Sequence, residues 1–165
     1  MNALTLTDQS HLPRAGVKGP GAAAWLKNLG LLVPESGNCW QPLSSGLIAR
    51  LGQSEYLVEG PQAAALDTTL APGVYPVLRQ DTALYLRGGQ LNALLLETCS
   101  VDCLALDPLT RPVLLTSMAG VTVTLIPELH QDIPGCYLWC DHTYGTWLSD
   151  TLAEVIHALS LSDPR

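Results

Sequence analysis

This sequence is poor in charge. Only 14% of its residues are charged, well below the quarter typical of soluble domains. Its eight Lys and Arg residues are scattered, and the formal net charge is −7. Phosphate backbones are held by clustered positive charge, so nucleic acid is not an expected partner. No apolar run approaches the roughly 20 residues that span a bilayer, so no membrane role is expected. The start of the chain lacks a basic region followed by an apolar block. A secretory signal is therefore not expected, and a cytoplasmic location is. The turn Gly19-Pro20-Gly21 lacks the spacing and third glycine of a dinucleotide loop. It reads as a packing turn rather than an anion site. A surface this poor in charge is expected to be covered in part by a partner.

What is present is enough apolar material for a core: 47% of 165 residues. That length fits one domain or two small, closely packed halves. Residues 1–12 are polar and read as a loose lead-in. Arg14 to Lys18 reads as a strand, followed by a turn at Gly19 to Gly21 and a helix with Pro20 at its first position, Ala22 to Ala24 as strong helix formers and Gly30 as a left-handed cap. Strands are expected at Cys39 to Leu43, Gly46 to Leu51 and Glu55 to Glu59, the last two joined as a hairpin at Gly52 to Ser54. A second helix is expected from Gly60 to about Ala71. Strands at Val74 to Leu78 and Ala83 to Arg87 follow, then a helix from Gln90 to Thr98. The remainder reads as strands at Val113 to Ser117 and Val121 to Ile126, a loop over Pro127 to Gly135, and a strand at Cys136 to Cys140. A last helix runs from Tyr144 to Leu159 with Thr143 as its cap.

This order repeats. Val17-Lys18-Gly19-Pro20-Gly21-Ala22 aligns with Leu86-Arg87-Gly88-Gly89-Gln90-Leu91 at an offset of 69 residues. Strand, glycine turn, helix and further strands recur in both stretches.

The five cysteines, with no secretory context, read as reduced thiols. Cys99 and Cys103 are four apart, as are Cys136 and Cys140, a spacing that invites a zinc reading. Cys136 to Cys140 reads as an ordered strand, however, and buried structural cysteines are the better expectation; no metal site is assigned. Cys140, Asp141, His130 and His142 do not make a catalytic set, because neighbours on a strand point to opposite faces. Ser10 and His11 lack a placed acid. Trp40, Trp139, Trp147 and Tyr144 are candidate interface anchors, whereas Trp25 reads as core.

The run Asp8-Gln9-Ser10-His11, continuing through Gly19-Pro20-Gly21-Ala22 to Trp25-Leu26, resembles the start of the folate-binding fold of glycine-cleavage T-proteins, the aminomethyltransferases. The nearer resemblance is to the gamma subunits of heterotetrameric sarcosine oxidases. It rests on Gly19 to Leu26, Cys99-Ser100-Val101-Asp102, and Tyr137-Leu138-Trp139-Cys140-Asp141 followed by Tyr144 and Trp147-Leu148. The resemblance implies an α+β, T-protein-like folate-binding fold over residues 1–165. It would consist of two pseudo-repeated β-β-α-β-β-β-α halves, roughly 10–72 and 73–160, with exchanged strands.

The resemblance also implies where chemistry has been given up. T-proteins carry Gly-x-Ile-Asp-Asp-Leu, and the equivalent here is Gly46-Leu47-Ile48-Ala49-Arg50-Leu51. Alanine exchanges no proton and arginine stays charged, so no catalytic residue is expected. A family Gly-x-Glu that holds the pterin is matched by Gly135-Cys136-Tyr137. A phenol there is no bidentate acceptor. The expectation is a non-catalytic gamma-type subunit of a sarcosine or N-methyl amine oxidase, bound to larger flavoenzyme subunits. FAD, FMN and NAD are expected on those partners and no cofactor on this chain. The alternative is a stand-alone tetrahydrofolate-binding, aminomethyltransferase-like protein of one-carbon metabolism, with Arg50 and Tyr137 as its cofactor-binding candidates. A homodimer with another role is the third reading.

Overall fold

The computed structural model describes residues 3–66 and 71–162. Among these residues the chain forms two five-stranded antiparallel sheets and three α-helices, an α+β arrangement. It divides into two compact units, one of residues 11–80 and one of residues 1–10 with 81–165.

The unit of residues 11–80 holds β2 (Arg14–Lys18), α1 (Ala22–Asn28), β3 (Cys39–Pro42), β4 (Leu47–Arg50), β5 (Glu55–Glu59) and β6 (Tyr75–Val77). Its sheet order is β3-β4-β5-β2-β6. Alternation puts Ala15, Val17, Ile48, Tyr56 and Val58 on one face, where they form a core with Ala22 and Leu26 of α1. Seven residues make too short a helix to persist alone, so α1 depends on this packing. Its entry is a tight turn at Gly19. The amide of Ala22 donates to the Gly19 carbonyl at 3.1 Å, and that of Gly21 to the Gly73 carbonyl at 3.0 Å. A Cβ on Gly19 would lie 2.2 Å from the Gly73 oxygen, and its φ is +122°. Both facts require glycine. The Gly21 amide is already bonded, so this is a packing turn as the spacing predicts. Pro20 sits within the turn, and the helix begins only at Ala22. Gly30 does close α1, with the Leu31 amide bonded back to the Leu26 carbonyl at 3.2 Å.

The unit of residues 1–10 and 81–165 is built alike. Its strands are β1 (Thr5–Asp8), β7 (Asp81–Arg87), β8 (Leu114–Met118), β9 (Val121–His130) and β10 (Ile133–Asp141). Its helices are α2 (Leu91–Thr98) and α3 (Gly145–Ser162). Read from one edge, the sheet runs β8-β9-β10-β7-β1. Strand for strand, this matches the order of the first sheet. The turn recurs too: the Leu91 amide donates to the Gly88 carbonyl at 3.2 Å. Leu84, Leu86, Val123, Leu125, Cys136 and Leu138 face Leu91, Leu94, Leu148 and Leu152 of the helices.

Four expectations need correction. The first residues are not a loose lead-in, since β1 pairs with β7 from Thr5↔Arg87 to Asp8↔Leu84. The second helix is a short 3-10 turn, Pro61–Ala65; its expected continuation includes residues 67–70, which lie outside the described residues. The stretch from Pro127 to Gly135 is no loop. β9 runs on to His130, and Gln131 and Asp132, with φ of +53° and +60°, turn directly into β10. Pro127 is tolerated because β8 stops opposite Leu125, leaving β9 paired on one side only beyond that point. Finally, the cap before α3 is Asp141, not Thr143. The Asp141 carboxylate accepts from the Thr143 amide at 2.9 Å and its hydroxyl at 2.7 Å. These two bonds hold the Asp141 carboxyl below its ordinary value.

One ion pair is locked between strands. Arg14 and Glu59 are register partners on β2 and β5, 3.0 Å apart, with side chains 5% and 2% exposed. Removing one member strands a buried charge, which costs about 3–5 kcal/mol, whereas replacing both by apolar residues is often neutral. Glu59→Ala should therefore lower stability by about that amount in urea melts, and Arg14→Met with Glu59→Leu should recover most of the loss.

Candidate functional site

Arg50 is at the end of β4. Its Nε donates to the carbonyls of Gly52 and Gln53 at 3.2 and 3.1 Å, and another guanidinium nitrogen donates to the Glu35 carbonyl. Its carbon lies 5.7 Å from the centre of the Tyr56 ring. Arg50 thus ties the 34–35 segment to the β4–β5 turn. Ala49, beside it, is fully buried.

Tyr137 lies in the other unit, on the sheet face away from α2 and α3. Strand alternation places Tyr85 of β7, Gly135, Tyr137 and Trp139 of β10, and Glu128 of β9 on that same face. The Tyr85 and Tyr137 rings are 4.8 Å apart, and Tyr137 stacks on Trp139 at 5.9 Å. The Tyr85 hydroxyl donates to a carboxylate oxygen of Glu128. These residues sit on strands that flank β10, and they meet because Gly135 between them has no side chain. A Cβ there would lie 2.9 Å from the Tyr85 hydroxyl and 3.1 Å from Glu128. The cluster therefore combines a tilted tyrosine pair, a buried tryptophan stacked on Tyr137 and an oriented carboxylate, which suits a flat ligand bearing N–H donors. Sequence reasoning singled out Tyr137 but missed Tyr85 and Glu128. The available signal was the alternation of β9, hidden by reading Pro127 as a strand end.

Burial first, then the Glu128 hydrogen bond and charge, push the Tyr85 hydroxyl well above its ordinary value. A phenol held protonated in the fold adds stability below the free phenol's value of about 10, lost as pH rises further.

Cys103, Cys136 and Cys140 are core parts, and Cys99 packs against them. Cys136 faces the helices, and burial, then the neighbouring Cys103 and Cys99, push its thiol far up. Cys103 is pushed up to about 12, by burial before the charge of Cys99; the two sulfurs are 3.8 Å apart. Cys140 is buried while Asp141 is exposed, so the two do not converge. Among the described residues no three His, Cys, Asp or Glu side chains group as metal ligands.

Of the candidate anchors, Trp40 and Trp139 are buried, and Trp25 is half-buried against the α1 core. Tyr144 and Trp147 are 55% and 53% exposed. They border a shallow apolar groove of about 460 Å³ whose other wall is Ala119, Gly120 and Val121 at the β8–β9 turn.

Gly135→Ala should cost about 1 kcal/mol or somewhat more, since the two nearest atoms are side-chain ends and the Leu86 carbonyl oxygen follows at 3.3 Å, and it should separate Tyr85 from Glu128. The expected readout is an alkaline tyrosinate titration, followed by absorbance, in which one group moves down toward the ordinary tyrosine range. Tyr85→Phe should remove that group and flatten the stability loss above pH ~10.

No family model matches the chain, and no curated protein is similar to it in sequence. Its fold is similar to that of a chain in the heterotetrameric sarcosine oxidase from Corynebacterium sp. U-96 in complex with pyrrole 2-carboxylate. The TM-score is 0.76 at 17% identity, over 98% of this chain and 88% of that one. The chain shares, over nearly its whole length, the fold of a chain of that sarcosine oxidase.

Proposed function

We propose that this chain is a non-catalytic, gamma-type subunit of a heteromeric oxidase or dehydrogenase acting on sarcosine or a related N-methyl amine. The observation that carries the reading is the likeness of fold, over 98% of this chain and 88% of the other, to a chain of a heterotetrameric sarcosine oxidase. The pseudo-repeated, T-protein-like fold belongs to the same reading. Its support is the matching strand order of the two sheets and the recurrence of the glycine turn at Gly19 and Gly88. Ala49 and Arg50 fit a subunit without chemistry of its own: one is fully buried, and the other is bonded to backbone carbonyls. In this proposal the larger partner chains carry FAD, FMN and NAD. Co-expression with any large flavoprotein chains that its neighbouring genes encode should give a stoichiometric complex. That complex should oxidise sarcosine or another N-methyl amine, and this chain alone should not. A chain that enters no such complex overturns the reading.

Glu128 favours one second reading, tetrahydrofolate binding. The carboxylate that the sequence lacks at position 137 is supplied from β9, beside the Tyr137 ring and oriented by Tyr85. Under this reading, titration calorimetry of the pure chain with tetrahydrofolate should give saturable heat that falls at least tenfold in affinity in Glu128→Gln. The absence of heat from the unaltered chain removes it.

A further inference from the structure

The molecule's charge is divided unevenly. Residues 1–10 and 81–165 contain eleven Asp and Glu against three Arg, a net −8. Residues 11–80 contain four acids and five bases, a net +1. Between Arg111 and Arg165 there is no Lys or Arg at all. Both walls of the Tyr144–Trp147 groove come from that stretch. Asp150 and Glu154 follow Trp147 at three and seven residues, a spacing that keeps all three on one side of α3, and all are exposed. The His142 ring lies 3.7 Å from the Asp141 carboxylate, outside the groove.

We propose that the groove between Trp147 and the β8–β9 turn is the docking surface for the partner subunit, and that the partner meets it with an apolar side chain flanked by Arg or Lys. This deepens the subunit reading and rests on it. An indole beside two carboxylates matches guanidinium chemistry, because arginine stacks on the ring while its N–H groups reach the acids. Charge disfavours the other occupants. A second copy seated through the same face would bring together two units of net −8, and an anionic lipid surface would be repelled.

The test uses the full chain co-expressed with any large flavoprotein chains that its neighbouring genes encode, with assembly measured at low and high salt. Trp147→Ala should weaken assembly at least tenfold, whereas Trp147→Phe should retain most of it, which separates lost contact from lost fold. Asp150→Lys with Glu154→Lys should weaken assembly at low salt and flatten its salt dependence. Leu32→Ala, at an exposed position in the other unit, should leave it unchanged. If the unaltered chain assembles and the Trp147 and acidic variants match it, the docking proposal falls while the subunit reading stands. A loss confined to one of the two variant sets overturns the pairing of apolar with basic chemistry. If the unaltered chain joins none of these chains, both readings fall. If it instead dimerises with itself through Trp147, a second copy is the occupant and the proposal is overturned.

Discussion

A turn of three residues is all that separates β2 from the helix that covers it. So short a link leaves the helix no freedom but to fold back over its own strand. The chain accepts the geometry only because the Gly19 position holds no Cβ against the Gly73 carbonyl. The equivalent turn after β7 opens α2 by the same hydrogen bond. Each unit thus has one inner strand, β2 or β7, and its covering helix placed by local geometry, with a single strand beyond it on one side and three on the other. The helices bring little stability of their own. They hold because Ala22 and Leu26, or Leu91, Leu94 and Leu95, fill one face of a sheet.

Polar groups on these sheets are handled in two ways. Arg14 and Glu59 are sealed together across adjacent strands, where they specify register at some cost in desolvation. Tyr85 and Glu128 are joined across an intervening strand, through the notch at Gly135. The first arrangement leaves nothing for a ligand to bind. The second leaves a carboxylate and aromatic faces together on one side of the sheet. That face carries chemistry suited to recognition, whereas positions 49 and 50 hold an alanine and an arginine.

Much of this was legible in the residues. Strand β2, the α1 cap at Gly30, the β4–β5 hairpin and helices α2 and α3 follow from apolar spacing and glycine placement, because those signals are local. What could not be read depends on contacts distant in sequence. Thr5-Leu-Thr-Asp is too short and too exposed to declare itself a strand; only the free edge of β7 makes it one. Pro127 looks like a strand end until the length of β8 is known. Glu128 could not be matched with Tyr85 before the register of β10 put Gly135 between them. Among the four candidate anchors, sequence type alone could not divide Trp40 and Trp139, which the core takes, from Tyr144 and Trp147, which stay at the surface.

The pairing of β1 with β7 also bears on how the molecule is made. Thr5 must wait for Arg87, 82 positions later, before its backbone amides find their place. At ribosomal speeds of about 5–20 residues per second, that is a delay of several seconds. Residues 11–80 contain their whole sheet and emerge during that interval. The nascent chain therefore completes its middle section first, while its opening strand is held over for a sheet not yet synthesised.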